Sequence, residues 1–321
     1  KESIKLAQAI IEMCAGNLDK VYFVSGGSEA TETALKMARS YHVGRGNEKK
    51  YLVISRWQSY HGSTLGALSM SGRTMSRKIY QPYLLNFPHI SPAYCYRCPY
   101  GQNLESCSYE CAWELEHTIN QIGAEYISAF IAEPIVGATL SAAPAPPDYF
   151  SIIREICDKY DVLFIADEIM TAFGRTGKNF GMDHYGITPD IIAGAKGLGA
   201  GYFPIGITIC TDKVFEVFQE TLGKFNHGFT YQGNPLGAAT ALSVLTYIRE
   251  NDLIAHVEQE GKYLLERLFH MFRFDFIGDI RGKGFMTGIE LVMDTKTKTP
   301  FPVEKGITKL VAETAWEKGL I

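Results

Sequence analysis

Val162-Leu163-Phe164-Ile165-Ala166 runs directly into Asp167-Glu168. Five apolar residues without interruption suit a strand buried on both faces, as a parallel sheet covered by helices requires. The two carboxylates mark where that strand ends against something polar. The same form repeats outward along the chain. Val21–Val24, Tyr51–Ser55, Ile127–Ala132, Asp190–Ala195 and Ile205–Thr211 read as further strands, and residues 28–42, 111–122, 147–160 and 234–270 as helices. This alternation predicts an α/β fold with a mainly parallel central sheet flanked by helices. Ligands of such sheets sit beyond the carboxyl ends of the strands. The residues that close each apolar run are therefore the candidates for chemistry.

The pattern changes near residue 250. A large domain is expected over residues 1–252, and the start of a smaller α+β domain over 253–321. Residues 308–318 read as a helix stopped by Gly319, with Leu320-Ile321 opening a strand. With Lys1 in first place, the chain is expected to be part of a longer protein. Of its 321 residues, 46% are hydrophobic and 21% charged, which is globular composition. A net charge of −4 without a basic stripe argues against nucleic acid. No apolar run is long enough to span a bilayer, and no signal peptide is visible. Of the seven cysteines, Cys14, Cys157 and Cys210 fall in apolar patterns, as buried thiols do. A cytoplasmic location is expected.

Lys196 closes Asp190-Ile-Ile-Ala-Gly-Ala-Lys196 and is followed by Gly197 and Gly199. Apolar walls lower an amine's pKa, and a neutral amine is what Schiff-base chemistry needs. Glycines there allow the backbone to approach something bulky. Read alone, it is equally a snorkelling lysine at a strand end. Asp167 is placed to hold a buried cation such as a protonated pyridine nitrogen; read alone, it caps the next turn. Ser25-Gly26-Gly27-Ser28 follows a strand and opens a helix, so backbone N–H groups and the helix dipole face any anion there, with Ser28 as N-cap. Tyr60 of Ser59-Tyr60-His61-Gly62 could stack on a flat cofactor, or simply pack in the core with a satisfied His61. Dinucleotide and P-loop readings fail: Gly197-Leu-Gly199-Ala-Gly201 misplaces the third glycine, and Gly177-Lys178-Asn179 lacks the hydroxyl residue.

Together these pieces resemble class III aminotransferases, pyridoxal-phosphate enzymes of fold type I. The resemblance rests on Ser25–Arg39, Ser59–Gly62, Ala132-Glu-Pro-Ile-Val-Gly137, Asp167–Gly177 (Asp-Glu-Ile-Met…Gly-Arg-Thr-Gly), Ala195–Gly201, His227–Tyr231 with Gly233-Asn-Pro235, and Arg281–Glu290. It implies that Lys196 carries the cofactor as a Schiff base and moves protons, and that Asp167 pairs with the pyridine nitrogen. Gly27 and Ser28 would hold the phosphate, with Thr230 donated by a partner subunit of a homodimer. Tyr60 and Ile169 would cover the two ring faces, His61 would lie in the ring-stacking element, and Glu133 would orient groups near the ring oxygen or the substrate. The implied reaction moves an amino group from an amine or amino acid to a 2-oxo acid such as pyruvate by a ping-pong course. Thr31-Glu32 departs slightly from the family pattern, and the segment that carries its carboxylate-binding arginine lies outside this chain.

Cys95-Tyr-Arg-Cys98 and Cys107-Ser-Tyr-Glu-Cys111 approach zinc spacing, but the second pair is spaced by three and no histidine intervenes. A loop of free thiols without a catalytic metal is the plainer reading. The insertion resembles that of ω-amino-acid:pyruvate-type members. The same parts also serve aminomutases and decarboxylases, since the pocket chooses which bond breaks. A cofactor-free binding protein is disfavoured by the joint presence of Lys196, Asp167 and the Ser25–Ser28 turn.

Overall fold

A seven-stranded sheet organises the chain, for which the computed structural model describes residues 1–320. Its strands are β1 (Leu18–Val24), β2 (Leu52–Arg56), β3 (His89–Ile90), β4 (Ile127–Ala132), β7 (Leu163–Asp167), β8 (Ile191–Gly194) and β9 (Gly206–Thr211); a two-stranded hairpin, β5 (Ile135–Val136) with β6 (Ala143–Pro144), branches off after β4. The spatial order is β1-β9-β8-β7-β4-β2-β3. Pairings β2–β3, β2–β4, β4–β7 and β7–β8 are parallel, whereas β9 runs antiparallel to both β8 and β1. Each of the six apolar runs expected to be a strand between residues 21 and 211 is one. The two-residue β3 escaped notice, because so short an edge between Pro88 and Ser91 leaves no periodicity to read.

The side-chain period of two sorts each strand between two cores. In β4, Phe130 and Ala132 face one side and Ala129 and Ile131 the other; in β7, Phe164 and Ala166 oppose Leu163 and Ile165. Helices α1 (Glu2–Ile11), α5 (Glu110–Ile122), α6 (Tyr149–Lys159) and α8 (Pro235–Glu250) contribute to the first core, and α2 (Gly27–Gly44) with α7 (Asp212–Val217) to the second. Burying a phenylalanine such as Phe164 stabilises the fold by roughly 1.5–3 kcal/mol.

The helix expected over 234–270 is two helices, α8 and α9 (Leu253–Phe269). Asp252 adopts the left-handed conformation (φ 50°) between them, and no local apolar pattern announces that break. Beyond it, β10 (Ile277–Lys283), β11 (Met286–Asp294) and β12 (Thr299–Pro300) form an antiparallel sheet of a C-terminal subdomain, followed by α10 (Ile307–Glu317). Gly319 takes a left-handed φ of 85° past that helix, as expected, whereas Leu320 is not in a strand and Ile321 lies outside the described residues. Among the described residues no helix is long and apolar enough to cross a membrane.

Because β8 and β9 are antiparallel neighbours, residues 195–205 form a loop tied at both ends to adjacent strands in the sheet, with Gly194 paired to Ile207. Lys196 is in that loop.

Candidate active site

The carboxyl ends of β1, β2, β4, β7 and β8 deliver their following residues to one cavity of about 1200 Å3. Ser25–Ser28, Tyr60, His61, Glu133, Asp167, Ile169 and Lys196 all line it. Thr230 does not: it is exposed, in the loop before α8.

α2 begins at Gly27 and is capped by Gly26 in fully extended backbone, so Ser28 lies in the first turn rather than at the N-cap. Its hydroxyl oxygen accepts the Ser63 N–H at 3.0 Å, leaving its own proton to donate. Glu29 Oε2 accepts the Ser25 N–H at 2.7 Å. The first-turn amides of α2 and its dipole open on the cavity wall made by Ser25 to Ser28, an arrangement suited to an anion. A side chain at Gly27 would come within 3.0 Å of Ile169 Cδ1.

Asp167 is buried, and both its oxygens are fixed. Oδ1 accepts the Ile169 N–H at 3.1 Å and Oδ2 lies 2.7 Å from His61 Nδ1. Burial alone would lower the His61 pKa, but the charge of Glu133 and the hydrogen bond and charge of Asp167 hold it above the ordinary value. His61 therefore commits Nδ1 to Asp167, while its buried Nε2 has no partner among the described residues. Glu168, directly adjacent, faces the other way. It is fully buried and accepts the Gly181 and Met182 N–H groups at 2.7 and 2.8 Å and the Thr171 hydroxyl; burial pushes its carboxyl up to about 7.

Burial lowers the Lys196 amine below its ordinary value, with Asp167 opposing and Arg175 reinforcing the shift. The residue is held at φ 41°, a conformation that costs a non-glycine residue on the order of 1 kcal/mol. The glycines after it serve the protein rather than a ligand. A side chain at Gly199 would lie 2.3 Å from the Phe203 carbonyl, and one at Gly197 would lie 3.3 Å from Phe173 Cβ.

Glu133 does not present free oxygens to the cavity. Oε1 accepts the Tyr60 N–H at 2.9 Å, and Oε2 pairs with Arg56 Nη2 at 3.1 Å, which also donates to the Glu133 carbonyl at 2.6 Å. Burial would raise its carboxyl, but the charges of His61 and Arg56 together with the Tyr60 amide hold it below its usual range. Arg56 was missed from sequence, although its signal was there: a cation closing an apolar strand demands a buried partner. The Thr31-Glu32 departure also has structural work. Thr31 Oγ1 donates to the His61 carbonyl at 2.7 Å, and Glu32 Oε1 accepts the Gly66 N–H at 2.9 Å, so α2 holds the Tyr60 loop from behind.

All seven cysteines are free thiols; Cys111, Cys157 and Cys210 are buried, while Cys14, Cys95, Cys98 and Cys107 are half-buried. Among the described residues no group of three or more His, Cys, Asp or Glu side chains is arranged to hold a metal ion.

The sequence matches the family described as Aminotransferase class-III over residues 1–321. It is 40% identical over 318 residues to an uncharacterised aminotransferase of Bacillus subtilis, covering 99% of this chain and 71% of that protein. It is 39% identical over 320 residues to the putrescine–pyruvate aminotransferase of Pseudomonas aeruginosa, with 99% and 69% covered. The structure superposes on the omega transaminase from Pseudomonas jessenii in complex with PMP with a TM-score of 0.90 at 37% identity, covering 94% of this chain and 67% of that one. The relatives run longer than this chain, which spans as little as 62% of one of them.

Proposed function

The chain belongs to the class III aminotransferases, enzymes dependent on pyridoxal phosphate, and we propose that it transfers an amino group from an amine or amino acid to a 2-oxo acid such as pyruvate in two alternating half-reactions. The observation that carries this reading is that Lys196 and Asp167 open into one cavity, flanked by Tyr60 and Ile169, with the N-terminus of α2 in its wall. The residues fit the cofactor: an anion cradle, two covering side chains, a buried carboxylate and a depressed amine. When bound, pyridoxal phosphate supplies an aldehyde for the amine and a ring that accepts electrons from the adjacent carbon.

The chain's own residues do the rest. Lys196 Nζ would hold the cofactor covalently, and its free amine would serve as the acid and base that moves the proton. Asp167 would keep a proton on the ring nitrogen, and His61 positions Asp167 through Oδ2. Gly27 and Ser28 hold the phosphate with the α2 amides. Tyr60 and Ile169 confine the ring, with Tyr60 set by Glu133 and Arg56. Thr230, exposed and outside this chain's own cavity, completes the phosphate site of a second copy in a homodimer.

The test is a single-turnover half-reaction on cofactor-loaded full-length protein. A donor amine added without any oxo acid should convert the visible absorption band, and pyruvate should restore it. Lys196→Ala should lose both steps and the borohydride-sensitive band. Carbon dioxide released from an amino-acid donor without net amino transfer would instead mark a decarboxylase. Thr230→Ala should weaken cofactor affinity and couple its loss to dimer dissociation; a fully active monomer refutes the shared site.

A further inference from the structure

Four ionic groups besides His61 line the cavity: Glu133, Asp167, Lys196 and Arg73. The two carboxylates are committed, Glu133 to Arg56 and Asp167 to His61. Lys196 is committed to the cofactor in the reading above. Arg73 has no ion pair or side-chain hydrogen bond among the described residues, and nothing in the reading above uses it.

An arginine on a mobile surface loop would mean little. Arg73 is exposed, but it sits on a braced segment. The buried guanidinium of Arg77 donates to the carbonyls of Leu68, Ser69 and Ser71 at 3.1, 2.9 and 2.7 Å, fixing the turn before Arg73. Gly72 accepts the Gln58 N–H and donates to Ser59, which ties Arg73 to the segment that carries Tyr60. A side chain at Gly72 would fall 2.2 Å from the Arg56 carbonyl, so the two segments are in backbone contact. A second observation concerns the same cavity: Thr139 lines it, and its hydroxyl oxygen is shielded from solvent and has no hydrogen-bond partner among the described residues. A buried hydroxyl without a partner costs stability unless something docks on it.

We propose that Arg73 is the residue of this chain that recognises the substrate's carboxylate, with the Thr139 hydroxyl as an added donor. The inference rests on the transaminase reading, because that reaction obliges the cavity to take an acid: a 2-oxo acid in one direction, and an amino acid where the donor carries a carboxylate. A guanidinium presents a planar fork matched to a carboxylate's two oxygens, which the single point charge of a lysine does not. The cavity thereby favours acids over amines of the same length.

The experiment compares wild type, Arg73→Met and Arg73→Lys as cofactor-loaded full-length protein. Donor half-reactions use 4-aminobutanoate against butylamine, and acceptor half-reactions use pyruvate against propanal. Calorimetry measures binding of unreactive butanoate. Arg73→Met should lower the acid-over-neutral ratio of kcat/KM by on the order of 10- to 100-fold, chiefly through KM, and weaken butanoate binding by a similar factor. Arg73→Lys should recover part of both. Which arm moves tells whether the donor's or the acceptor's carboxylate is the one held. Ratios unchanged within threefold in both arms, with unchanged butanoate binding, overturn the proposal. An equal fall for acids and neutral compounds also overturns it, since that marks a structural role. If wild type carries out no half-reaction with any donor, the transaminase reading has failed, and the butanoate arm still decides the anion site.

Discussion

Replacing Glu133 with glutamine tests the frame that sets Tyr60. The carboxylate side chain is 9% exposed and its partner Arg56 1% exposed, so the pair is desolvated. Glutamine keeps an oxygen for the Tyr60 amide but leaves the guanidinium without a counter-charge. Removing one partner of such a pair costs about 3–5 kcal/mol. Arg56 retains its bond to the Glu133 carbonyl, which favours the lower figure, about 3 kcal/mol. With an unfolding entropy of about 2.1 cal/mol/K per residue over this chain, that becomes a fall in melting temperature of roughly 4–5 °C. Glu133→Ala should fall further and also weaken the cofactor, because the Tyr60 amide then loses its acceptor. The double variant Arg56→Met/Glu133→Leu should recover much of the loss, giving a coupling above about 1.5 kcal/mol. Melting followed by circular dichroism, with and without cofactor, reads both effects and separates folding from ligand linkage. Should Glu133→Gln melt within a degree of wild type with no coupling in the cycle, the buried-pair argument is wrong.

Three further perturbations follow from the site and its supports. Asp167→Asn should still bind cofactor but slow the half-reaction by about 100-fold or more, since a neutral amide would give up the charge-assisted contact proposed for the ring nitrogen; stopped-flow rates equal to wild type would remove Asp167 from the mechanism. Gly62→Ala would place a methyl 2.5 Å from Ser28 Oγ at a φ of 137°, so cofactor titration should show about tenfold weaker binding, and an unchanged Kd would mean the Ser28 loop yields freely. His42 is buried, its Nε2 donates to the Ser128 carbonyl at 2.9 Å, and burial first, with Lys50 and Arg45 adding, lowers its pKa to about 4. A folded pKa below the unfolded 6.5 means the unfolded chain binds the proton first as pH falls. The stability tied to neutral His42 is complete above pH 6.5 and is lost down to about pH 4, on the order of 3 kcal/mol. Urea midpoints of His42→Gln should be that much flatter over this window, and parallel pH profiles would contradict the assignment.

What the sequence made legible follows a physical divide. Uninterrupted apolar runs such as Val162–Ala166 and Ile127–Ala132 announce buried strands, and the carboxyl-end rule then places Asp167, Glu133 and Lys196 together, because it depends only on local pattern and chain direction. Whatever depends on a distant partner stayed hidden. That β9 runs backwards has no compositional signature. The roles of Arg56 and Thr31 come from contacts made 77 and 30 residues away. The break at Asp252 is a single backbone conformation inside a periodic stretch. Ser28 looked like a cap because serines often are, but Gly26 in extended backbone already closes that helix end.

The reversal of β9 has a mechanical meaning for Lys196. A residue that carried a covalent cofactor through repeated cycles, the role proposed for Lys196, would feel repeated pulls along its side chain. Such pulls would pass at both ends of residues 195–205 into the hydrogen-bonded neighbours β8 and β9 inside the sheet, not into a lone helix that could tilt. The anchorage is stiff in the backbone, which leaves travel to the four methylenes of the lysine itself.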